Sequence, residues 1–121
     1  MPWIYRQSTG RIERDGTLAG VGYSGCGQGR NNPSRQNEAM SGPIPRGTWS
    51  IGAPFTHPHA GPYTMRLTPV PGTVTYNRTG FMIHGDSAAH PGEASHGCVI
   101  VNIVTRRRIW ESGDHTIAVS L

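Results

Sequence analysis

The sequence predicts a compact, turn-rich, mainly β fold of short strands with one short helix. Three observations carry this. Gly 17 and Pro 10 together approach a quarter of the 121 residues, so turns are frequent and long helices few. Aromatic and β-branched residues fall in short, regular clusters of alternating pattern, as half-buried strands require. One segment, residues 103–112, keeps three-to-four spacing, with Ile103, Arg106, Arg107 and Trp110 in step. The length fits one domain spanning residues 1–121.

Each element follows in order. Residues 3–7 read as a strand, 8–10 as a turn and 11–14 as a second strand. Asp15-Gly16 is a hairpin signal, and residues 17–23 continue the meander. Residues 24–42 are rich in Gly, Asn and Ser without hydrophobic period, so they form a long loop of the kind that is functional or mobile. Cys26 lies in that loop. Pro43 and Pro45 fix the backbone ahead of Gly47, and residues 48–51 alternate as a strand.

His57-Pro58-His59 reads as a surface loop, since no third metal ligand is near. Residues 63–68 and 73–76 make two more strands around the turn at 69–72, and residues 81–84 a further one. Asn102 caps the helix, Gly113 ends it, and residues 115–121 form the last strand. The run Arg106-Arg107-Arg108 reads as a solvated helix face.

The 11 basic residues are all arginine against 7 acidic ones, and the net charge of +4 suits an anionic partner such as nucleic acid, a membrane surface or cell wall. No RNP-like aromatic pattern or zinc-finger spacing is present, which argues against nucleic acid. Two cysteines do not make a disulfide scaffold. The start, MPWIYRQSTG, has no apolar signal core, and no stretch is long enough to span a membrane. A monomer without a signal peptide is expected, with no cofactor.

The chemistry concentrates in residues 81–102. His84, His90 and His96 stand six apart ahead of Cys98, which Gly97 precedes and Val99-Ile100-Val101 follows. A thiol is a weak nucleophile until a base or dipole helps form the thiolate, and several histidines in one loop can supply the base. The order His before Cys differs from papain-like enzymes, where the Cys comes first. His84, Asp86, His90, His96 and Cys98 are also metal-ligand types, but their spacing fits no zinc peptidase signature.

Ser95-His96-Gly97-Cys98, with Phe81-Met82-Ile83-His84-Gly85 ahead of it, resembles the signature of the L,D-transpeptidases, the YkuD-like cysteine enzymes of peptidoglycan. Pro45-Arg46-Gly47-Thr48-Trp49-Ser50-Ile51 looks like that family's turn and strand. Together with the 23–37 stretch it resembles most a short branch exported as antibacterial effectors by type VI secretion. The resemblance implies a YkuD-like β-sandwich or barrel with the helix after the Cys. It implies Cys98 as nucleophile, His84 as base oriented through Gly85, and an oxyanion hole of backbone N–H groups around Gly97 and Cys98. His96 would shape the loop, and His90 is a rival base on a less fixed loop.

Departures from the pattern matter too. The spacer between His84 and Ser95 is short, and Ile100 stands where the family carries a substrate-binding arginine. An acidic group of the stem peptide would then be met by Arg78 or Arg46; Ser95, counted with them as substrate-binding, would hydrogen-bond locally. The implied substrate is the peptidoglycan stem peptide, the implied partner a cognate immunity protein, and the implied place of action the periplasm of a target bacterium. A non-catalytic cell-wall-binding module and a phage-derived lysis enzyme are the other readings left open.

Overall fold

The computed structural model describes residues 2–121. Its strands are β1 (Trp3–Arg6), β2 (Arg11–Arg14), β3 (Thr17–Val21), β4 (Tyr23–Ser24), β5 (Gly47–Ile51), β6 (Phe55–His57), β7 (Gly61–Pro69), β8 (Met82–His84), β9 (Val99–Ile100) and β10 (Thr116–Ser120), with one helix, α1 (Ile103–Glu111). Strand accounts for 35% of the chain and helix for 12%, the latter counting two single 3-10 turns, Gly27–Gly29 and Pro33–Arg35, with α1, so the mainly β expectation holds. The helix follows Cys98 as expected.

The strands join in the order β3-β2-β1-β10-β5-β7-β8-β9-β4, with β6 paired to β7 beside that path. Its two ends, β3 and β4, are parted in the chain by Gly22 alone, and the sheet curls into a nearly closed barrel. Gly22 is the seam. Its N–H donates to Gly10 O at 2.8 Å, and a Cβ there would stand 1.8 Å from Ile100 O. Only glycine lets the backbones approach so closely. The single strand expected over 17–23 is thus two, pairing first with β2 and then with β9.

The core follows the two-residue period of strands. Trp3 and Tyr5, Trp49 and Ile51, Met65 and Leu67, Phe81 and Ile83, and Ile117 and Val119 all point inward. Trp49 and Phe81 meet edge to face at 4.9 Å between centroids. Truncating such a buried aromatic costs about 3–5 kcal/mol. Asn102 Oδ1 accepts from Thr105 N at 2.8 Å and caps α1, which buries Thr105, Arg106 and Ile109. Among the described residues no helix is long and apolar enough to cross a membrane.

Three expectations are corrected. Residues 73–76 form no strand: Tyr76 and Asn77 both take positive φ (55° and 60°), which breaks any ladder. Residues 55–57 do form one, so His57 ends a strand and its Nδ1 accepts from the N–H groups of His59 and Ala60. Arg106 is no solvated helix residue but buried, its guanidinium bonded to the carbonyls of Val101, Pro62 and Tyr63.

One topological fact positions the site. β8 and β9 pair in parallel, Ile83 with Val99 and His84 with Ile100. Parallel strands cannot be joined by a tight hairpin and need a crossover of a dozen or more residues. Residues 85–98 are that crossover, and they carry the Ser-His-Gly-Cys tetrapeptide back to the start of β9.

Candidate active site

Ile83 and Val99 both belong to the core. Strand alternation therefore sets His84 and Cys98 on the opposite face of the β8–β9 pair, diagonal to one another. Ideal strand spacing and rise put their Cα atoms about 8 Å apart. No hydrogen bond joins the two side chains among the described residues, and they line separate clefts. Cys98 opens into one of about 280 Å³ with Met40, Arg78, Gly80, Phe81 and His96. His84 opens into one of about 570 Å³ with His59, Asp86, Glu93 and Arg106.

His84 is buried, and its Nδ1 lies 2.8 Å from Gly85 O. A carbonyl can only accept, so the proton of the neutral ring sits on Nδ1 and the lone pair on Nε2. Burial holds the imidazole below its ordinary pKa of 6.5. Arg106 and His57 push the same way, against the Gly85 carbonyl and Asp86. His84 is thus neutral at physiological pH, with a free basic nitrogen.

Burial pushes the Cys98 thiol up from its ordinary value of 9.0, while Met82 N–H and the Arg78 guanidinium favour the thiolate. The sulfur points toward Gly80 O at 3.6 Å. Gly97 before it takes φ 135°, and a Cβ there would fall 2.5 Å from Arg78 Nη2. Glycine is required on both counts.

Ser95 is fully buried. Its hydroxyl donates to Cys98 O at 2.6 Å and accepts from the N–H groups of Gly25 and Gly97. It braces the loop, the local hydrogen bonding expected of it, and its side chain has no exposed surface. Gly97 N–H is engaged in the same way, so of the two expected oxyanion donors only Cys98 N–H is without a partner among the described residues.

Arg78 is 7% exposed, and its guanidinium donates to the carbonyls of Gln36, Gly42, Pro43 and His96. It ties three loops together beside the thiol, a scaffold and electrostatic role in place of a free carboxylate clamp. Arg46 is exposed and borders another cleft. His96 lines the Cys98 cleft with Nδ1 3.0 Å from Met40 O and 4.0 Å from Cys26 Sγ. His90 is 75% exposed in its side chain and lies 3.8 Å from the Glu93 carboxylate. The two cysteines are free.

Sequence reasoning missed two supports. Tyr23 O–H donates to Asp86 Oδ1 at 2.6 Å and accepts from Ala94 N–H, clamping both ends of the crossover to β4. Nothing in the local pattern around Tyr23 signals this. Arg106 beside His84 is the second: it shares the buried face of α1 with Thr105 and Ile109, but the carbonyls that hold it come from β7, far away in the chain. Among the described residues no three His, Cys, Asp or Glu side chains converge as a metal ion would need.

No curated protein and no solved structure matches the chain. Residues 19–118, which include both clefts and the parallel pair between them, match the Tlde1 domain. With most of its length matched, the chain belongs to the Tlde1 domain family, a family of type VI secretion L,D-transpeptidase effectors.

Proposed function

We propose that residues 1–121 form a cysteine-dependent acyl-transfer domain acting on peptidoglycan stem peptides, as L,D-carboxypeptidase or L,D-transpeptidase. The observation that carries this reading is the shared outer face of His84 and Cys98, with His84 Nε2 left free by the Gly85 carbonyl. Catalytic hydrogen bonds are commonly long before substrate arrives, so the absence of a direct bond in the free protein is compatible with a working pair.

In the proposed reaction His84 Nε2 takes the Cys98 proton as Sγ attacks the carbonyl of the third stem residue. Cys98 N–H faces the developing oxyanion, where one such donor contributes about 2.7–4 kcal/mol. The C–N bond then breaks, and the imidazolium returns its proton to the departing D-alanine amine, leaving a thioester on Cys98. Water or an amine attacks that thioester, His84 accepts its proton, and the sulfur leaves and is reprotonated. Gly97 keeps the thiol accessible, Ser95 holds the loop, and His96 flanks the cleft.

Family membership supports delivery to the periplasm of a target bacterium and an immunity partner in the producing cell. Tetrapeptide muropeptides incubated with wild type are expected to lose D-alanine or to exchange it for an added D-amino acid, and Cys98→Ala is expected to do neither. If both proteins bind wall fragments and neither alters them, the domain is a binding module instead.

A further inference from the structure

A third cleft, of about 440 Å³, lies beside the Cys98 cleft and is lined by Gln36, Arg46, Thr48, Thr73, Val74 and Tyr76 among others, with no acidic residue. The Arg46 guanidinium makes no hydrogen bond, ion pair or ring contact among the described residues, although its backbone N–H is pinned to Gln36 Oε1 at 2.9 Å. The floor is built rather than loose. Thr73 Oγ1 accepts from Thr48 N and donates to Thr48 O, and Val70 N–H donates to the same carbonyl. Val74 and Tyr76, 59% and 43% exposed, give it an apolar rim.

The two clefts are two sides of one segment. Tyr76 lines the Arg46 cleft and Asn77 the Cys98 cleft, and the consecutive positive φ angles of these two residues turn the chain from one to the other. Gln36 joins them from below: its side chain holds Arg46 N–H, and its backbone carbonyl holds the Arg78 guanidinium beside Cys98. Arg78 is saturated by carbonyls, so among the described residues Arg46 is a cation on this side of the thiol with its guanidinium free.

We infer that the Arg46 cleft is a subsite for a carboxylate on a short aliphatic arm of the substrate, held apart from the scissile carbonyl. The segment at Tyr76-Asn77 separates the clefts, so a peptide lying across it presents neighbouring residues to the two. On the departing side the neighbour is D-alanine, whose carboxylate sits on its Cα without an aliphatic arm, so the carboxylate that fits belongs to the stem residue preceding the one attacked. An arginine fork matches a carboxylate in two parallel bonds, and the apolar rim suits the methylenes that carry it. This subsite rests on the reading that Cys98 attacks a peptide carbonyl.

The test pairs two stem tetrapeptides, one with the second residue's carboxylate free and one with it amidated, against wild type, Arg46→Ala and Arg46→Lys. Arg46→Ala is expected to raise KM about tenfold on the free acid, equal to about 1.4 kcal/mol, with kcat within twofold. On the amide the KM penalty shrinks below twofold, and Arg46→Lys recovers part of the loss on the acid. Equal penalties on both peptides, or none, overturn the subsite. Direct titration of both peptides into Cys98→Ala and into the Cys98→Ala/Arg46→Ala double variant separates the two ideas. If wild type turns over neither peptide, acyl transfer fails. Tighter binding of the free acid, lost with Arg46, then still supports the subsite, and equal binding of acid and amide overturns it.

Discussion

The Cys98 cleft and the His84 cleft solve one problem with opposite signs. Each contains a buried arginine that, among the described residues, has no carboxylate partner and is held by backbone carbonyls: Arg78 on one side, Arg106 on the other. In each, burial holds the reactive group in its neutral form, raising the thiol and lowering the imidazole. The arginines then differ in effect. Arg78 favours a negative charge on sulfur, whereas Arg106 opposes a positive charge on the ring. At rest both groups are therefore neutral, thiol and imidazole, and in the proposed reaction Arg78 favours the anion on sulfur while Arg106 disfavours the proton on the ring. This differs from the standing thiolate–imidazolium pair of papain-like enzymes.

The largest test of that contrast compares the three histidines. His84→Ala is expected to lower turnover about 10²–10⁴-fold, the range for losing a general base. His96→Ala, which leaves the base in place, is expected to cost less than tenfold, and His90→Ala less than twofold. Steady-state D-alanine release measures all three. A His96→Ala loss as deep as that of His84→Ala would move the base into the Cys98 cleft.

Exchanging the arginines for methionine sharpens the comparison. Each change strands three or four carbonyl acceptors, at about 1 kcal/mol apiece, so urea melts are expected to show losses of about 3 kcal/mol. Their pH effects separate. A base that must be neutral gives an acid limb below 6.5, since the folded pKa lies under the ordinary value. Arg106→Met removes a charge that opposes the imidazolium, so that limb moves up in pH. Arg78→Met removes a charge that favours the thiolate, so the midpoint of iodoacetamide alkylation moves to still higher pH. The account fails if both variants shift the same limb.

A smaller effect tests the crossover. Tyr23→Phe removes the hydroxyl that bonds the Asp86 carboxylate and Ala94 N–H, at about 1.5–3 kcal/mol for a hydrogen bond to a charged group. Burial alone would raise the Asp86 pKa, but bonds from Tyr23, Gly92 N–H and Ser87 N–H outweigh it and hold the carboxyl below its ordinary value. That stability is present above the ordinary carboxylate range and is lost as pH falls through the lowered pKa. Wild type and Tyr23→Phe are thus expected to converge in stability toward acid. A gap unchanged at low pH would mean the hydroxyl acts through packing alone.

Much of the fold was legible because local signals agreed with the tertiary result. Alternation in β1, β2, β5 and β10, Asn102 at the head of α1 and Gly113 at its end each follow from residue chemistry alone. The failures have tertiary causes. Thr73 to Tyr76 has strand-forming residues, but two positive φ angles at Tyr76-Asn77 turn the segment between two clefts. Arg106 sits in an arginine run, and its burial is set by carbonyls of β7 more than forty residues away in the chain. The candidate site residues themselves stood out in sequence as His-Gly and Ser-His-Gly-Cys. That they occupy one face of a parallel pair yet open into separate clefts depends on the crossover, which spacing alone does not describe.

The most direct measurement is intact-protein mass spectrometry after rapid quenching with a stem tetrapeptide, on wild type, Cys98→Ala and His84→Ala. A transient adduct with the mass of the stem tripeptide acyl group is expected on wild type, mapped to Cys98 by digestion. None is expected on Cys98→Ala, and on His84→Ala the adduct is expected to form far more slowly. An adduct on any other residue, or D-alanine release by folded Cys98→Ala at the wild-type rate, would contradict the proposed mechanism.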